Sequence, residues 1–183
     1  MTMSLEGVRV LELARYQAGP RGGMIMSDLG AEVIKIERFG GEETRRNSPV
    51  VRGQSIYFTV YNRGKKSICL DMRTDEGKAI FTDLVKTADV VLENFRPGTM
   101  AAMGFGYEQL KAINPATIMV RLSGYGQTGP MRDAPGFGAI GESMGGLRYV
   151  SGHPDRPPVR IGISIGDSIA SLHGAIGALM ALR

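Results

Sequence analysis

One carboxylate, Asp167, stands where a carboxylate could do chemistry. Before it, in residues 161–166, isoleucine alternates with smaller residues, as in a β-strand that ends at a glycine. After it, apolar residues recur at the spacing of one helical face. The turn from a strand to a helix is where α/β sheets bind ligands, so Asp167 is a candidate for binding or catalysis. The position equally suits a helix N-cap worth about 1 kcal/mol, and the two roles are compatible.

Three cations also follow predicted strands. Arg38, Arg73 and Arg96 each come directly after, or just beyond, an apolar segment with strand character. A single arginine at a strand end is usually solvated. Three along one edge of a parallel sheet favour a binding site for phosphates.

Several other chemistries are disfavoured by spacing. Gly19, Gly22 and Gly23 do not form the G-x-G-x-x-G pattern of dinucleotide-binding proteins, and Pro20 lacks an N–H that a pyrophosphate would use. The two histidines are far apart and belong to no ligand-spaced cluster, so we predict no metal site. Ser164 lies inside the predicted strand, not at the turn that a nucleophile elbow requires.

Composition limits the possible partners and compartments. The net charge of +4 favours an anionic partner, but the basic residues are scattered, which argues against nucleic acid. Cys69 is the single cysteine and falls in an apolar predicted strand, and the N-terminus lacks a signal peptide, so a cytoplasmic protein is expected. The uncharged residues 168–182 are too few for a membrane span, which needs about 20.

The positions of these residues depend on an alternation of strands and helices. Strands are predicted at residues 8–13, 32–37, 67–72, 89–95 and 118–122, and helices at residues 24–29, 75–86 and 107–113. Residues 16–23 are predicted as a turn, 39–50 as a surface loop, 56–60 as either helix or strand, and 124–160 as a long loop-rich excursion. Alternation of this kind predicts an α/β fold with a mostly parallel sheet and helices on both faces.

With these elements in order, the sequence resembles the family III CoA-transferases, which include formyl-CoA and carnitine CoA-transferases and have the α-methylacyl-CoA racemases as relatives. Eight motifs between residues 5 and 183 carry the resemblance: GVRVLEL (7–13), QAGP (17–20), LGAEVIKIE (29–37), KSICLD (66–71), VLENFRPG (91–98), MGFG (103–106), GYGQTGP (124–130) and GD (166–167).

The resemblance implies a Rossmann-like domain and roles for particular residues. Asp167 would be the nucleophile that attacks an acyl-CoA thioester, passing through a mixed anhydride and an aspartyl-CoA thioester before a carboxylic acid takes the CoA. The start of the following helix is expected to keep it ionised at neutral pH. Gln17 would take part in catalysis and in binding coenzyme A. The remaining CoA-binding positions would be Arg38, Leu70, Asp71, Met72, Arg73, Asn94, Phe95 and Arg96.

Two positions depart from the family pattern. Formyl-CoA transferases carry an aromatic residue and a carboxylate where this chain has Phe137 and Gly138, which argues against oxalate or formate as a substrate. The racemases place a histidine base at the position of Phe137. Without that histidine, Asp167 lacks the second group that racemisation needs. A racemase-like enzyme is therefore kept as the alternative function and not as the first.

Length sets a further expectation. Members of the family are longer, with a small second domain, a segment that returns to the first domain, and two interlocked protomers. We therefore expect residues 1–183 to form one CoA-binding domain that bears Asp167, with the second domain and return segment absent. Such a chain would be a homo-oligomer or a complementing subunit and an incomplete catalyst alone, or else a non-catalytic acyl-CoA-binding module.

Overall fold

A computed structural model of the protein describes residues 2–183. Seven strands are present among these residues: β1 (Arg9–Glu12), β2 (Glu32–Glu37), β3 (Val50–Val51), β4 (Gln54–Ser55), β5 (Lys66–Cys69), β6 (Val90–Glu93) and β7 (Ile118–Arg121). The α-helices are α1 (Ala18–Asp28), α2 (Ile56–Asn62), α3 (Asp75–Val85), α4 (Thr99–Ala102), α5 (Tyr107–Ile113), α6 (Gly138–Met144) and α7 (Ile165–Ala181). A 3₁₀ turn covers Glu43–Arg46.

Five strands form one parallel sheet in the order β5-β2-β1-β6-β7, and β3 and β4 form a separate antiparallel hairpin. Numbered along the chain, the sheet strands lie in the order 3-2-1-4-5, which is the doubly wound arrangement. The predicted fold class is confirmed. In this arrangement the chain reverses direction across the sheet between β1 and β6, and the loops after these two strands diverge to open a crevice.

Each face of the sheet is covered by its own apolar core. Successive residues of a strand point to opposite faces. In β1, Val10 therefore belongs to a core with Met26 of α1 and Ala178 of α7, and its neighbour Leu11 belongs to the core that includes Phe81 of α3. The prediction of helices on both faces is confirmed by these two clusters.

The start of α7 differs from the sequence prediction. Residues 161–164 form no strand, and the helix begins at Ile165, so Asp167 lies in its first turn. The N-cap is Ser164, not Asp167, and its side chain makes no capping bond. The alternation of isoleucines was misleading because Ile165 also begins the helical series that continues through Ile169.

The predicted glycine turn after β1 is also wrong, because its glycines lie inside a helix. Helix α1 already begins at Ala18, and Pro20 falls in its first turn, where the missing N–H removes no helical bond. The glycines allow close packing: a Cβ on Gly19 would lie 2.1 Å from the Ala14 Cβ, and one on Gly23 would lie 1.9 Å from a carboxylate oxygen of Glu12.

Smaller corrections concern the loops. Residues 39–50 carry buried Glu42 and Thr44 and the 3₁₀ turn, so they are not a simple surface loop. Cys69 is exposed at the end of β5. Residues 56–60 are helical within α2, and the long excursion contains α6. By contrast, β2 and α5 match their predicted bounds, and Thr74 caps α3 by accepting a hydrogen bond from the Gly77 N–H.

Helix α7 has one buried and one exposed face. Ala175 and Ala178 are buried, and a Cβ on Gly174 would lie 3.1 Å from Leu122, so small residues bring this helix close to the sheet. The opposite face is apolar and exposed at Ile169, Leu172, Ile176 and Met180. Within residues 2–183, no helix combines the length and apolarity needed to cross a membrane.

Candidate active site

A cavity of about 710 Å³ opens at the carboxyl edge of the sheet, at the crevice between β1 and β6. The loops after β1, β6 and β7 line it, together with the starts of α6 and α7. Asp167, Gln17, Asn94, Phe95 and Arg96 are all among the lining residues. Five of the predicted site residues, from three separate segments, are thus brought to one cavity.

Asp167 occupies a half-buried position where two helices begin side by side. A Cβ on Gly138, the first residue of α6, would lie 3.6 Å from the Asp167 Cγ and Oδ1. A Cβ on Gly166 would lie 3.2 Å from the Gly138 Cα. The absence of side chains at these two glycines lets the helix starts touch and keeps the space beside the carboxylate open.

The electrostatic environment of Asp167 opposes its ionisation. Burial raises the pKa of its carboxyl group, and the negative charge of Glu142 raises it further, whereas Arg160 lowers it to a smaller extent. Any effect of the helix start in favour of the ionised form is therefore outweighed, and the net shift of the pKa is upward. A raised pKa makes the ionised carboxylate a stronger base.

Side chains from α1 and the loop before it connect to the first turns of α7. The Gln17 Nε2 lies 3.5 Å from the Ser164 carbonyl oxygen. The Arg21 Nη1 donates to the Ser168 Oγ at 2.8 Å. The buried Ser171 Oγ lies 2.6 Å from the carbonyl oxygens of both Ala18 and Asp167. These contacts fix the segment that bears Gln17 against the segment that bears Asp167.

Asn94 joins the loops on the two sides of the crevice. Its Oδ1 accepts a hydrogen bond from the Arg15 N–H at 2.8 Å, and its Nδ2 donates to the Arg15 carbonyl at 2.7 Å. The Arg15 guanidinium also lies 5.7 Å from the centre of the Phe95 ring. Asn94 therefore holds the mouth of the cavity in shape through its side-chain amide.

Comparison with known proteins decides the family. The model of CoA-transferase family III matches residues 5–183. The chain belongs to this family. The resemblance found in the motifs is thereby confirmed.

Two relatives and one solved structure show how much of a family III protein the chain represents. A succinyl-CoA–D-citramalate CoA-transferase of Chloroflexus aurantiacus is 54% identical over 98% of this chain and 45% of that protein. The beta subunit of a succinyl-CoA–L-malate CoA-transferase of the same organism is 41% identical over 100% of this chain and 46% of that subunit. The crystal structure of a CAIB/BAIF family protein from Brucella suis superimposes with a TM-score of 0.95 at 42% identity, covering 100% of this chain and 50% of that one. The chain spans about half the length of the relatives it matches.

The other predicted CoA-binding residues of this family III chain lie outside the cavity. Arg38 pairs with Glu43 at 3.0 Å, and Arg73 pairs with Asp71 at 2.8 Å. Leu70 is buried in the core on one face of the sheet, and Met72 packs against that core. All five follow the ends of β2 and β5, along the same edge as the cavity, and their role in binding CoA stays a prediction.

Three cavity residues escaped the sequence analysis. Arg15 and Tyr16 lie in the loop after β1, where Tyr16 has a φ of 64°, a conformation that residues other than glycine seldom adopt. Tyr57 lines the cavity from α2, and burial, followed by the charges of Tyr61 and Asp167, raises its pKa to about 12. Its hydroxyl is therefore a hydrogen-bond donor at neutral pH. The QAGP motif (17–20) was the one sequence signal next to Arg15 and Tyr16.

Proposed function

We propose that this chain provides the CoA-binding domain and the nucleophile of an enzyme that transfers CoA from an acyl-CoA thioester to a carboxylic acid. The observation that supports it most is the position of Asp167: a half-buried carboxylate with a raised pKa in a cavity at the crevice of a family III fold. A carboxylate can form covalent acyl intermediates, which divide a difficult transfer into easier steps.

In the proposed reaction an oxygen of Asp167 attacks the thioester carbonyl of the donor. The C–S bond breaks, CoA leaves as a thiolate, and a mixed anhydride between Asp167 and the acyl group forms. The thiolate then attacks the Asp167 carbonyl, which releases the donor acid as a carboxylate and leaves an aspartyl-CoA thioester. The acceptor carboxylate repeats the two steps in reverse order, so Asp167 is regenerated and no proton is consumed.

The surroundings of Asp167 offer groups for the charge that develops in these steps. The N–H groups of a first helical turn have no partner within the helix, and Gly166 and Asp167 lie in that turn of α7. The Tyr57 hydroxyl and the Gln17 amide line the same cavity as further donors. We propose that these groups stabilise the tetrahedral oxyanion, as donors fixed before the reaction do in other acyl transfers.

The names of the relatives suggest the class of acid. Both Chloroflexus relatives are named for succinyl-CoA and a dicarboxylic hydroxy acid. We propose a dicarboxylic acyl-CoA as donor and a dicarboxylic acid as acceptor for this chain. Arg96 in the cavity supplies positive charge for a second carboxylate, and Arg15, which also pairs with Glu43 at 3.1 Å, lies beside it.

Racemisation is the weaker alternative at this site. It needs one group to remove the α-proton and a second to return it. Phe137 lines the cavity at the position of the racemase base, and its exposed ring cannot accept a proton. CoA transfer requires only the carboxylate and the CoA thiol, which favours it here.

We further propose that turnover, as distinct from formation of the first adduct on Asp167, requires additional polypeptide, because the chain spans about half of its relatives' length. The exposed apolar face of α7 is suited to contact that polypeptide, since such a face is stabilised when it is removed from water. A second copy and a complementing subunit are both compatible with this proposal.

The test is covalent labelling. Incubation of the protein with succinyl-CoA should give an adduct on Asp167 whose mass corresponds to the succinyl or CoA group and which hydroxylamine removes. Asp167→Asn keeps the size of the side chain but cannot form an anhydride, so the adduct should be lost.

Asp75→Asn is the matched control, because Asp75 also lies in the first turn of a helix, α3, away from the cavity. It should label like the unchanged protein. Labelling of Asp167→Asn equal to that of Asp75→Asn would mean that Asp167 is not the nucleophile.

A further inference from the structure

Glu142 in α6 is a buried acidic residue whose environment calls for an explanation. It is 4% exposed, and neither carboxylate oxygen has a hydrogen-bond donor among the residues that the structure describes. Burying a carboxylate without a donor costs several kcal/mol relative to a hydrogen-bonded one, so folded proteins seldom retain such groups without a functional reason.

The geometry of α6 directs this residue towards the nucleophile. Gly138 and Glu142 are four residues apart and so lie on the same face of the helix. The Gly138 end of that face is in contact with Asp167, and α6 packs against α7. Glu142 is therefore one helical turn behind the contact between Gly138 and Asp167.

We propose that Glu142 is a positioning residue for catalysis, a second carboxylate whose charge keeps Asp167 basic and hence strongly nucleophilic. The inference rests on the proposed function, in which Asp167 attacks a thioester. Nucleophilicity of related groups rises with basicity, with a slope of about 0.4–0.5 for thiolates, so the field of Glu142 would increase the rate of attack.

Several other charged and titratable groups lie near Asp167. From the segment before α7, Arg160 lowers the pKa of Asp167. From α1, Arg21 is bound to Ser168 next to Asp167, and from α2, Tyr57 lines the same cavity. The residues of β7 and its end that face α7, Val120 and Leu122, are uncharged. Glu142 is thus the acidic group whose charge raises the pKa of Asp167, acting in the same direction as burial.

The experiment compares Glu142→Gln with the unchanged protein by two measurements. The first is the titration of the Asp167 carboxyl carbon by ¹³C NMR, with the signal assigned from its loss in Asp167→Asn. The midpoint should move to lower pH when the like charge is removed. The second is the rate of adduct formation from succinyl-CoA against pH. The rate at its high-pH plateau should fall roughly two- to fivefold, since the nucleophile becomes less basic.

Two controls separate this role from a structural one. Glu108→Gln removes an equal charge from an exposed position in α5 and should change neither measurement. Glu142→Asp keeps the charge and should restore most of the plateau rate. The melting temperature of Glu142→Gln should stay equal or rise, because the variant removes a buried carboxylate that has no donor.

The outcomes distinguish this inference from the proposed function. An unchanged midpoint for Asp167 in Glu142→Gln would overturn the inference, even if adducts form normally. A lowered midpoint without an adduct in any variant would support the electrostatic coupling and overturn the proposed function. A lower melting temperature together with an unchanged midpoint would show that Glu142 is structural.

Discussion

Two groups of buried charges lie at the carboxyl edge of the sheet, and they are built in opposite ways. Beneath the loop after β1, the carboxylates of Glu12 and Glu42 alternate with the ammonium groups of Lys35 and Lys65. The ion-pair distances are 3.0 Å, 2.6 Å and 2.7 Å, and the four side chains are at most 2% exposed. Across the crevice, Asp167 and Glu142 are two carboxylates of like charge, and Glu142 has no donor in residues 2–183.

Glu12, Lys35, Glu42 and Lys65, which we call the paired group, hold the framework of the site. The Lys35 Nζ donates to the Ala14 carbonyl at 2.8 Å, just before the loop that carries Arg15 and Gln17. The Lys65 Nζ donates to the Pro20 carbonyl at 2.8 Å, in the first turn of α1. Burial lowers the pKa of Lys35, but the charges of Glu12 and Glu42 outweigh this effect and raise it, so Lys35 stays charged. Paired charges therefore fix the backbone just after β1 and at the start of α1.

Breaking the paired group should give the largest effect on stability. Lys35→Met leaves Glu12 and Glu42 with Lys65 as their remaining buried cation, and loss of one partner from a buried ion pair costs about 3–5 kcal/mol. We expect this decrease in the free energy of unfolding in urea titrations. Lys66→Met is the control, because Lys66 pairs with Glu32 at the surface, where the loss should be below about 1 kcal/mol. Equal losses in the two variants would mean that the buried ion pairs contribute no more to stability than the surface pair.

Glu37, a buried carboxylate paired with Arg45, and Asp167 should respond to pH with opposite signs. Burial raises the pKa of Glu37, but hydrogen bonds from Arg45, Ser67 and the Glu42 N–H outweigh it and lower the pKa to about 2. Because the folded value is lower than the unfolded one, Glu37 stabilises the fold above about pH 4.5 and loses this effect as the pH falls to about 2. Asp167 has a raised pKa, so its contribution is present at low pH and is lost as the pH rises.

The corresponding measurement is the free energy of unfolding against pH. Glu37→Gln should be less stable than the unchanged protein by about 1–3 kcal/mol near neutral pH, with the difference shrinking towards about pH 2. Asp167→Asn should be equally stable or more stable near neutral pH, with the difference shrinking in acid. Loss of stability near neutral pH in both variants would contradict the assignment of Asp167 to the unpaired group.

Arg96 and Arg38 should contribute differently to the affinity for CoA. Arg96 lines the cavity, whereas the Arg38 side chain is 64% exposed and pairs with Glu43. Arg96→Ala should weaken binding of CoA about fivefold, in line with roughly 1 kcal/mol for an exposed ionic contact. Arg38→Ala should weaken it about twofold or less, since Arg38 is exposed and its charge is already offset by Glu43.

Calorimetry at two salt concentrations provides the measurement, because ionic contacts weaken as salt rises. Arg73→Ala serves as a comparison, since Arg73 is exposed and pairs with Asp71 next to it. A greater loss for Arg38 or Arg73 than for Arg96 would place the phosphates of CoA at the ends of β2 and β5 and not in the cavity.

Local pattern was sufficient for most of the fold. Short apolar segments identified all five strands of the parallel sheet, and Thr74 with the acidic residues after it identified the start of α3. The sequence also indicated Asp167 and Gln17, which do share a cavity. These features were predictable because strand period, capping and family motifs are properties of neighbouring residues.

What the tertiary structure decided depends on residues far apart in the chain. The start of α7 at Ile165 could not be predicted, because an isoleucine series fits a strand and a helical face equally well until packing selects one. The paired group joins residues 23 and 53 positions apart, and the sequence does not record which charges face each other. Glu142 is an ordinary acidic residue in the sequence. Its significance comes from burial and from the approach of α6 to Asp167, which only the packed fold creates.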